Sequence, residues 1–160
     1  KLLVIYSWML GGFNVTSWQQ VLVTLPYVLV GIILVSLHGR LLNVLQLDEE
    51  QAAALGVEVE RLKLLVVTAA TLTTAAAVAV SGLIGFVGLV VPHVVRLLFG
   101  PDHRLLVPLA AVYGAAFLVA ADALARTLLA QSELPVGVIT AACGAPFFLY
   151  LLRRHKRAVF

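Results

Sequence analysis

The chain has 160 residues, of which 62% are hydrophobic and 12% charged, and its formal net charge is +3. Soluble domains carry about 25% charged residues, so this composition excludes an ordinary water-soluble globule and belongs to the membrane class. The mean hydropathy of +1.05 agrees; the isoelectric point near 9.4 does not indicate nucleic acid, because the basic residues sit at the ends of apolar runs and form no binding stripe.

Lys1 leads directly into an apolar run with no basic n-region or cleavage site, so the sequence reads as a fragment whose N-terminal part lies outside it. Residues 2–10 read as the end of an earlier span or as a half-span, and Trp8 and Trp18 bracket the loop 11–17 as interfacial anchors do. Four runs, 21–37, 64–80, 105–121 and 134–152, each hold 17 to 19 residues without a charge. Each approaches the roughly 20 residues that cross a bilayer as helix. Pro26 is expected in the first turns of its helix, where proline is accommodated.

The loop 39–62 is the one sizeable polar element. Asp48 reads as a helix N-cap, with Glu49 and Glu50 in the first turn and Gln51 at the N3 position. Ala52, Ala53, Ala54 and Leu55 continue that helix, and Gly56 can end it in a left-handed conformation. Such a capped helix between two spans is either a rigid knob for a cytoplasmic partner or a solvated connector.

The stretch 82–92, GLIGFVGLVVP, is almost wholly apolar, yet Gly82, Gly85 and Gly88 recur at every third position and Pro92 closes it. Glycine frees the backbone and lets helices approach, and proline cannot donate a hydrogen bond inside a helix. Broken backbone survives at bilayer depth only when packed within protein or lining a cavity. The expectation is a fifth, broken crossing over 82–100: about eight extended residues, then a helix of about ten starting near Pro92, together reaching roughly 40 Å. His93, next to Pro92, is expected to bond a carbonyl freed by the break. Residues 100–104, GPDHR, form a tight turn with Asp102 a candidate cap for the following helix.

Asp122 and Arg126 lie four apart on one predicted helix and can pair; ionisable groups so placed raise a functional question by default. Either Arg126 meets an acidic partner at the outer surface, oriented by Asp122, or the two form a structural ion pair. Pro135 opens the final helix, followed by Gly137, while the GAP sequence at 144–146 kinks or thins it. Cys143 is a single cysteine in an apolar run and excludes a disulfide framework or a cysteine metal cluster. The four histidines have no HxxxH or HExxH spacing, so no metal site is expected.

If five crossings alternate, Arg40, Arg61, Lys63, Arg96, Arg104, Arg153, Arg154, Lys156 and Arg157 fall on one side, nine of the 11 basic residues. Positive-inside assigns that side to the cytoplasm and places Glu133 and Arg126 outside. The chain has no GxxxxGK[ST] phosphate loop and no GxSxG elbow, so it cannot hydrolyse a nucleotide by itself. If it drives uphill transport, energy enters through a partner.

The motifs GLIGFVGLVVPHVVRLLFGPDHR (82–104), ADALARTLLAQSELPVGVITAACGAPFFLYLLRR (121–154), LNVLQLDEEQAAALGV (42–57) and WMLGGF (8–13) resemble the FecCD family. These are permease subunits of type II ABC importers for iron–siderophores, haem and vitamin B12. The resemblance runs through nearly the whole chain in family order and corresponds to the C-terminal half of a subunit about twice as long. It implies an all-α polytopic transmembrane bundle with one broken crossing, in which 1–160 is part of a single transmembrane permease domain. The loop around Leu47–Gly56 would then be the coupling element seated on a cytoplasmic ABC ATPase, which uses the ATP; this chain would bind no cofactor. Arg126 matches an arginine facing a periplasmic or lipoprotein substrate-binding protein. The segment after Gly82 and the helix from Pro135 would help form the pathway at the interface of a homodimer or paired permease in the bacterial plasma membrane. An iron chelate is the cargo the resemblance favours. Two further classes stand beside the transporter: a membrane-embedded enzyme using Asp122, Glu133 or a histidine, and a non-transporting scaffold that recruits a partner through 39–62.

Overall fold

The computed structural model describes residues 6, 8–13, 17–46, 49–128 and 134–156, and among these every regular element is helical. Seven helices follow in order: α1 Trp18–Leu37, α2 Gly39–Leu45, α3 Glu49–Ala54, α4 Val59–Ser81, α5 Val87–Phe99, α6 His103–Leu128 and α7 Val136–Lys156. Three are long and apolar enough to span a membrane, namely Trp18–Leu37, Val59–Ser81 and His103–Thr127, while Val87–Phe99 and Val136–Leu151 are shorter apolar helices. The all-helical membrane bundle that the resemblance implies therefore holds.

Helix α1 starts earlier than the uncharged run because Ser17 and Gln20 form a capping box. The Ser17 N–H donates to Gln20 Oε1 at 2.9 Å and the Gln20 N–H to Ser17 Oγ at 3.3 Å. Pro26 is consequently an interior residue of α1 and does not belong to its first turns.

Helices α1 and α4 lie antiparallel. Val21 and Ser81 line one cavity, while His38 and Leu62 line another at the opposite end. Midway, Gly31 admits the Thr73 side chain, whose hydroxyl donates back to the Ala69 carbonyl at 2.7 Å. Close approach of this kind is how helices associate in lipid, where apolar burial between them gains little. Outward-facing Leu22, Val30 and Leu37 are 66%, 53% and 72% exposed, a surface suited to hydrocarbon and costly in water.

Helix α6 packs on α1, α2, α5 and α7. Val91 and Val95 of α5 are buried against Leu106, Leu109 and Phe117 of α6. At the other end Ala121 and Ala125, four apart and nearly without exposure, let Val136 of α7 bury itself fully. One end of the bundle thus gathers residues 38–46, 49–62 and 100–104, and the other gathers Gly11, Phe13, Ser81–Ile84 and Gly137. Arg40, Arg61, Arg96 and Arg104 belong to elements meeting at the first end, which the positive-inside rule makes cytoplasmic.

The broken crossing differs from the expected one. Only residues 82–86 leave the helix, and α5 starts at Val87, five residues before Pro92, which sits inside it. The ring of Pro92 removes one intrahelical bond and crowds the carbonyl four residues back, which belongs to Gly88, a residue without a side chain. Helix α5 has 13 residues, about 20 Å of rise, short of a core of about 30 Å.

Candidate functional site

At the outer end, the backbone groups released by the break are taken up by the WMLGG segment. The Trp8 carbonyl accepts from Gly11 N–H at 3.2 Å and Leu83 N–H at 3.4 Å, and the Ser81 carbonyl accepts from Gly12 N–H at 2.8 Å. The Gly137 N–H reaches the Gly11 carbonyl at 3.5 Å, tying in the start of α7. Unpaired backbone groups cost several kcal/mol in a bilayer core, so this pairing is what lets the chain leave the helix there.

Gly82 is the residue on which the knot turns. Its φ of 69° with ψ of −164° is a backbone region reserved for glycine, and a Cβ would collide with the Trp8 carbonyl oxygen. Gly137 likewise lies against the Leu10 carbonyl, and Gly144 against the side chain of Phe86, which has a φ of 66°. A Cβ added at Gly85 or Gly88 would meet nothing within 4 Å, and neither has a positive φ, so of the three only Gly82 has no room for a side chain. Pro135 is half-buried just ahead of α7. Beside the knot a largely apolar cavity of about 520 Å³ is lined by Phe13, Val21, Thr73, Ser81, Gly82 and Ile84. His93 meets Phe147 edge-on, with ring centroids 5.7 Å apart, in place of the carbonyl expected for it.

At the cytoplasmic end, α3 is a single exposed turn and a half. Ala52 is fully buried and fixes the helix to its neighbours, whereas Glu50, Gln51, Ala53, Ala54 and Gly56 are exposed and Leu55 is 67% exposed. The helix stops in a Schellman motif: Gly56 has φ +83°, its N–H donates to the Ala53 carbonyl at 2.9 Å, and Val57 N–H donates to the Ala52 carbonyl at 3.1 Å. The left-handed ending expected of Gly56 is thus present. Leu47 and the expected cap Asp48 lie outside the described residues, as does Glu133; Glu49 opens the helix.

The sequence reading missed α2 and the polar cluster it carries. Asn43 donates from its amide nitrogen to Asp102 Oδ1 at 2.6 Å, and its amide oxygen accepts the His103 backbone N–H at 2.8 Å. Gln46 donates to the Pro101 carbonyl at 3.3 Å, and its Nε2 lies 2.7 Å from His103 Nδ1. Asp102 also caps α6, accepting the Arg104 N–H at 2.9 Å, as expected of it. The Asn43 bond, with the Arg104 N–H, holds the Asp102 carboxyl below its ordinary range. The available signal was Asn43 and Gln46, three apart in an otherwise apolar LLNVLQ run.

Near the outer end of α6, Arg126 Nε donates to Asp122 Oδ2 at 2.7 Å, with side-chain exposures of 52% and 23%. The ion pair exists and still leaves Arg126 half in contact with the outside. Among the described residues no three His, Cys, Asp or Glu side chains gather as a metal site.

The described residues form a helical core with three helices long and apolar enough to span a membrane and a backbone break held by glycines. Residues 1–154 match the model of the FecCD transport family, and the chain belongs to that family. It is 52% identical to the cobalamin import system permease protein BtuC of Halobacterium salinarum over 95% of this chain and 41% of that protein. It is 47% identical to the hemin transport system permease protein HmuU of Yersinia pestis over 93% of this chain and 45% of that one. A solved chain from an ABC transporter assigned to the metal-chelate type, in an inward-facing conformation, superimposes with a TM-score of 0.87 at 39% identity, covering 96% of this chain and 49% of that chain. The present chain therefore spans about half the length of the relatives it matches. Its family is one of transport permeases, not enzymes, so the membrane-enzyme alternative falls away.

Proposed function

We propose that this chain supplies part of the transmembrane pathway and the ATPase-coupling surface of an ABC importer that moves a metal chelate into the cytoplasm. The cargo class is an iron chelate, siderophore or haem, or cobalamin, with an iron chelate favoured. Relatives named for hemin and cobalamin import support the class. A separate cytoplasmic ATPase burns the ATP, a substrate-binding protein delivers cargo to the outer face, and two permeases pair in the bacterial plasma membrane.

The observation that carries the reading is α3. An exposed short helix, anchored through buried Ala52, stopped rigidly at Gly56 and held between spans α1 and α4, suits a groove in a cytoplasmic motor. Its flat alanine face admits close contact, and Leu55 offers a large apolar side chain. At the outer face, half-exposed Arg126, oriented by Asp122, suits an acidic residue of the binding protein. The knot at Gly82, with Gly137 and the helix that follows Pro135, borders the pathway.

The test is Ala53→Glu and Leu55→Asp in the protein assembled with its ATPase and reconstituted in vesicles. Both sites are exposed, so insertion should be normal while ATP hydrolysis no longer drives uptake. Normal ATP-driven uptake by both variants would refute the assignment of α3.

A further inference from the structure

We infer that Asn43 and Asp102 form a polar latch through which movement of the cytoplasmic loop is carried to the α5–α6 hairpin and so to the broken crossing. The inference rests on the permease reading above and adds to it the route by which the coupling helix acts.

The latch joins α2 to the α5–α6 turn at three places along α2. At its first residue, Gly39, a Cβ would stand 3.0 Å from the Arg104 Cα, so the two backbones touch. At its middle, Asn43 uses both ends of its amide, giving to the Asp102 carboxylate and taking from the His103 N–H. At its end, Gln46 reaches the Pro101 carbonyl and His103. A helix held at both ends and the centre moves with what it is fastened to.

Position in the chain makes this fastening mechanical. Helix α3 packs against α2, so a push on α3 arrives at α2. Asp102 is shared between Asn43 and the first turn of α6, so a pull on Asn43 acts directly on the N-terminus of that helix. Helix α5 packs along α6 through Val91 and Val95, and its far end is the Phe86–Val87 exit from the glycine knot. The competing route from α3 runs through α4, which begins three residues after Gly56 and packs mainly on α1. Among the described residues α4 has no extensive packing against α5 or α6. A charge-assisted hydrogen bond is among the stronger polar links available at an aqueous boundary, which suits the Asn43–Asp102 bond to bear this load.

The chemistry of the latch allows a swap. Asn43→Asp sets two carboxylates face to face. Asp102→Asn keeps a good helix cap. The double variant, Asn43→Asp with Asp102→Asn, removes the opposition of two carboxylates and lets the amide at position 102 give to the carboxylate at position 43. Because Asp102 Oδ1 takes both the Asn43 amide and the Arg104 N–H, that amide must turn away from the cap to do so, and the recovery is partial.

The experiment compares these three with the unaltered protein, each assembled with its ATPase in proteoliposomes, reading cargo taken up per ATP hydrolysed. Asn43→Asp should lower that ratio about tenfold, a usual size for a coupling loss, while the amount of ATPase co-purified stays constant. The double variant should stand between Asn43→Asp and the unaltered protein. An unchanged ratio in Asn43→Asp overturns the latch, as does a double variant that assembles normally yet shows no gain over Asn43→Asp alone. If Asn43→Asp fails to insert, Asn43→Ala is read in its place, and a normal ratio there overturns the latch equally. Absence of ATP-driven uptake by the unaltered protein contradicts the permease reading itself and is thereby told apart from failure of the latch.

Discussion

Replacing Gly82 by alanine separates a shaped backbone break from a merely glycine-rich helix. The new Cβ would meet the Trp8 carbonyl oxygen, and the residue would have to keep a φ of 69° and ψ of −164°. A non-glycine residue there costs about 1–3 kcal/mol in backbone strain. Escape from the collision withdraws the Trp8 carbonyl from Leu83 N–H, at about 1 kcal/mol. The sum is about 2–4 kcal/mol. Gly85, three residues on, has no positive φ and a Cβ there would meet nothing within 4 Å, so Gly85→Ala should be neutral or stabilise by about 0.4–1 kcal/mol through the unfolded chain. Unfolding by graded SDS in mixed micelles, followed by tryptophan fluorescence since Trp8 belongs to the knot, measures both. Equal stability of the two variants would refute the reasoning.

Two other outcomes follow from the geometry. Arg126→Glu should weaken docking of the substrate-binding protein, most at low salt because exposed charges are screened over about 10 Å at 0.1 M, and a reciprocal acidic-to-basic change on the binding protein should recover part of it; unaltered docking with lowered stability would assign Arg126 to its pair with Asp122 only. Single cysteines from Ser81 to Val91 should react with small polar thiol reagents aperiodically up to Phe86 and with a helical period from Val87 onward. One helical period throughout would mean a continuous span.

The sequence carried more of the bundle than of its interior joints. Apolar run length was enough for three of the spans, because the bilayer sets the length of every crossing helix, while the run 134–152 holds the shorter apolar helix Val136–Leu151. Gly56 was legible as a stop because a left-handed residue after an alanine run has few other uses. The start of α5 was misplaced at Pro92 because a proline reads as a boundary, whereas here it sits inside the helix as its sixth residue. Gly82 could not be distinguished from Gly85 and Gly88 by spacing, since what singles it out is the Trp8 carbonyl, more than 70 residues away in the chain. The role of Asn43 was hidden for the same reason: its partner Asp102 is 59 residues distant, and the Asn43–Gln46 spacing marks a polar face without naming what it meets. Ser17 and Gln20, by contrast, form a capping box that local spacing does encode and that the run of uncharged residues obscured.

The most direct test is uptake of a labelled ferric chelate into proteoliposomes holding the protein, its ATPase and its binding protein. The account predicts accumulation that requires ATP inside the cytoplasmic compartment, ceases on Leu55→Asp, and stimulates hydrolysis only with loaded binding protein outside. An assembled complex that hydrolyses ATP yet accumulates neither ferric chelate, haem nor cobalamin would contradict it.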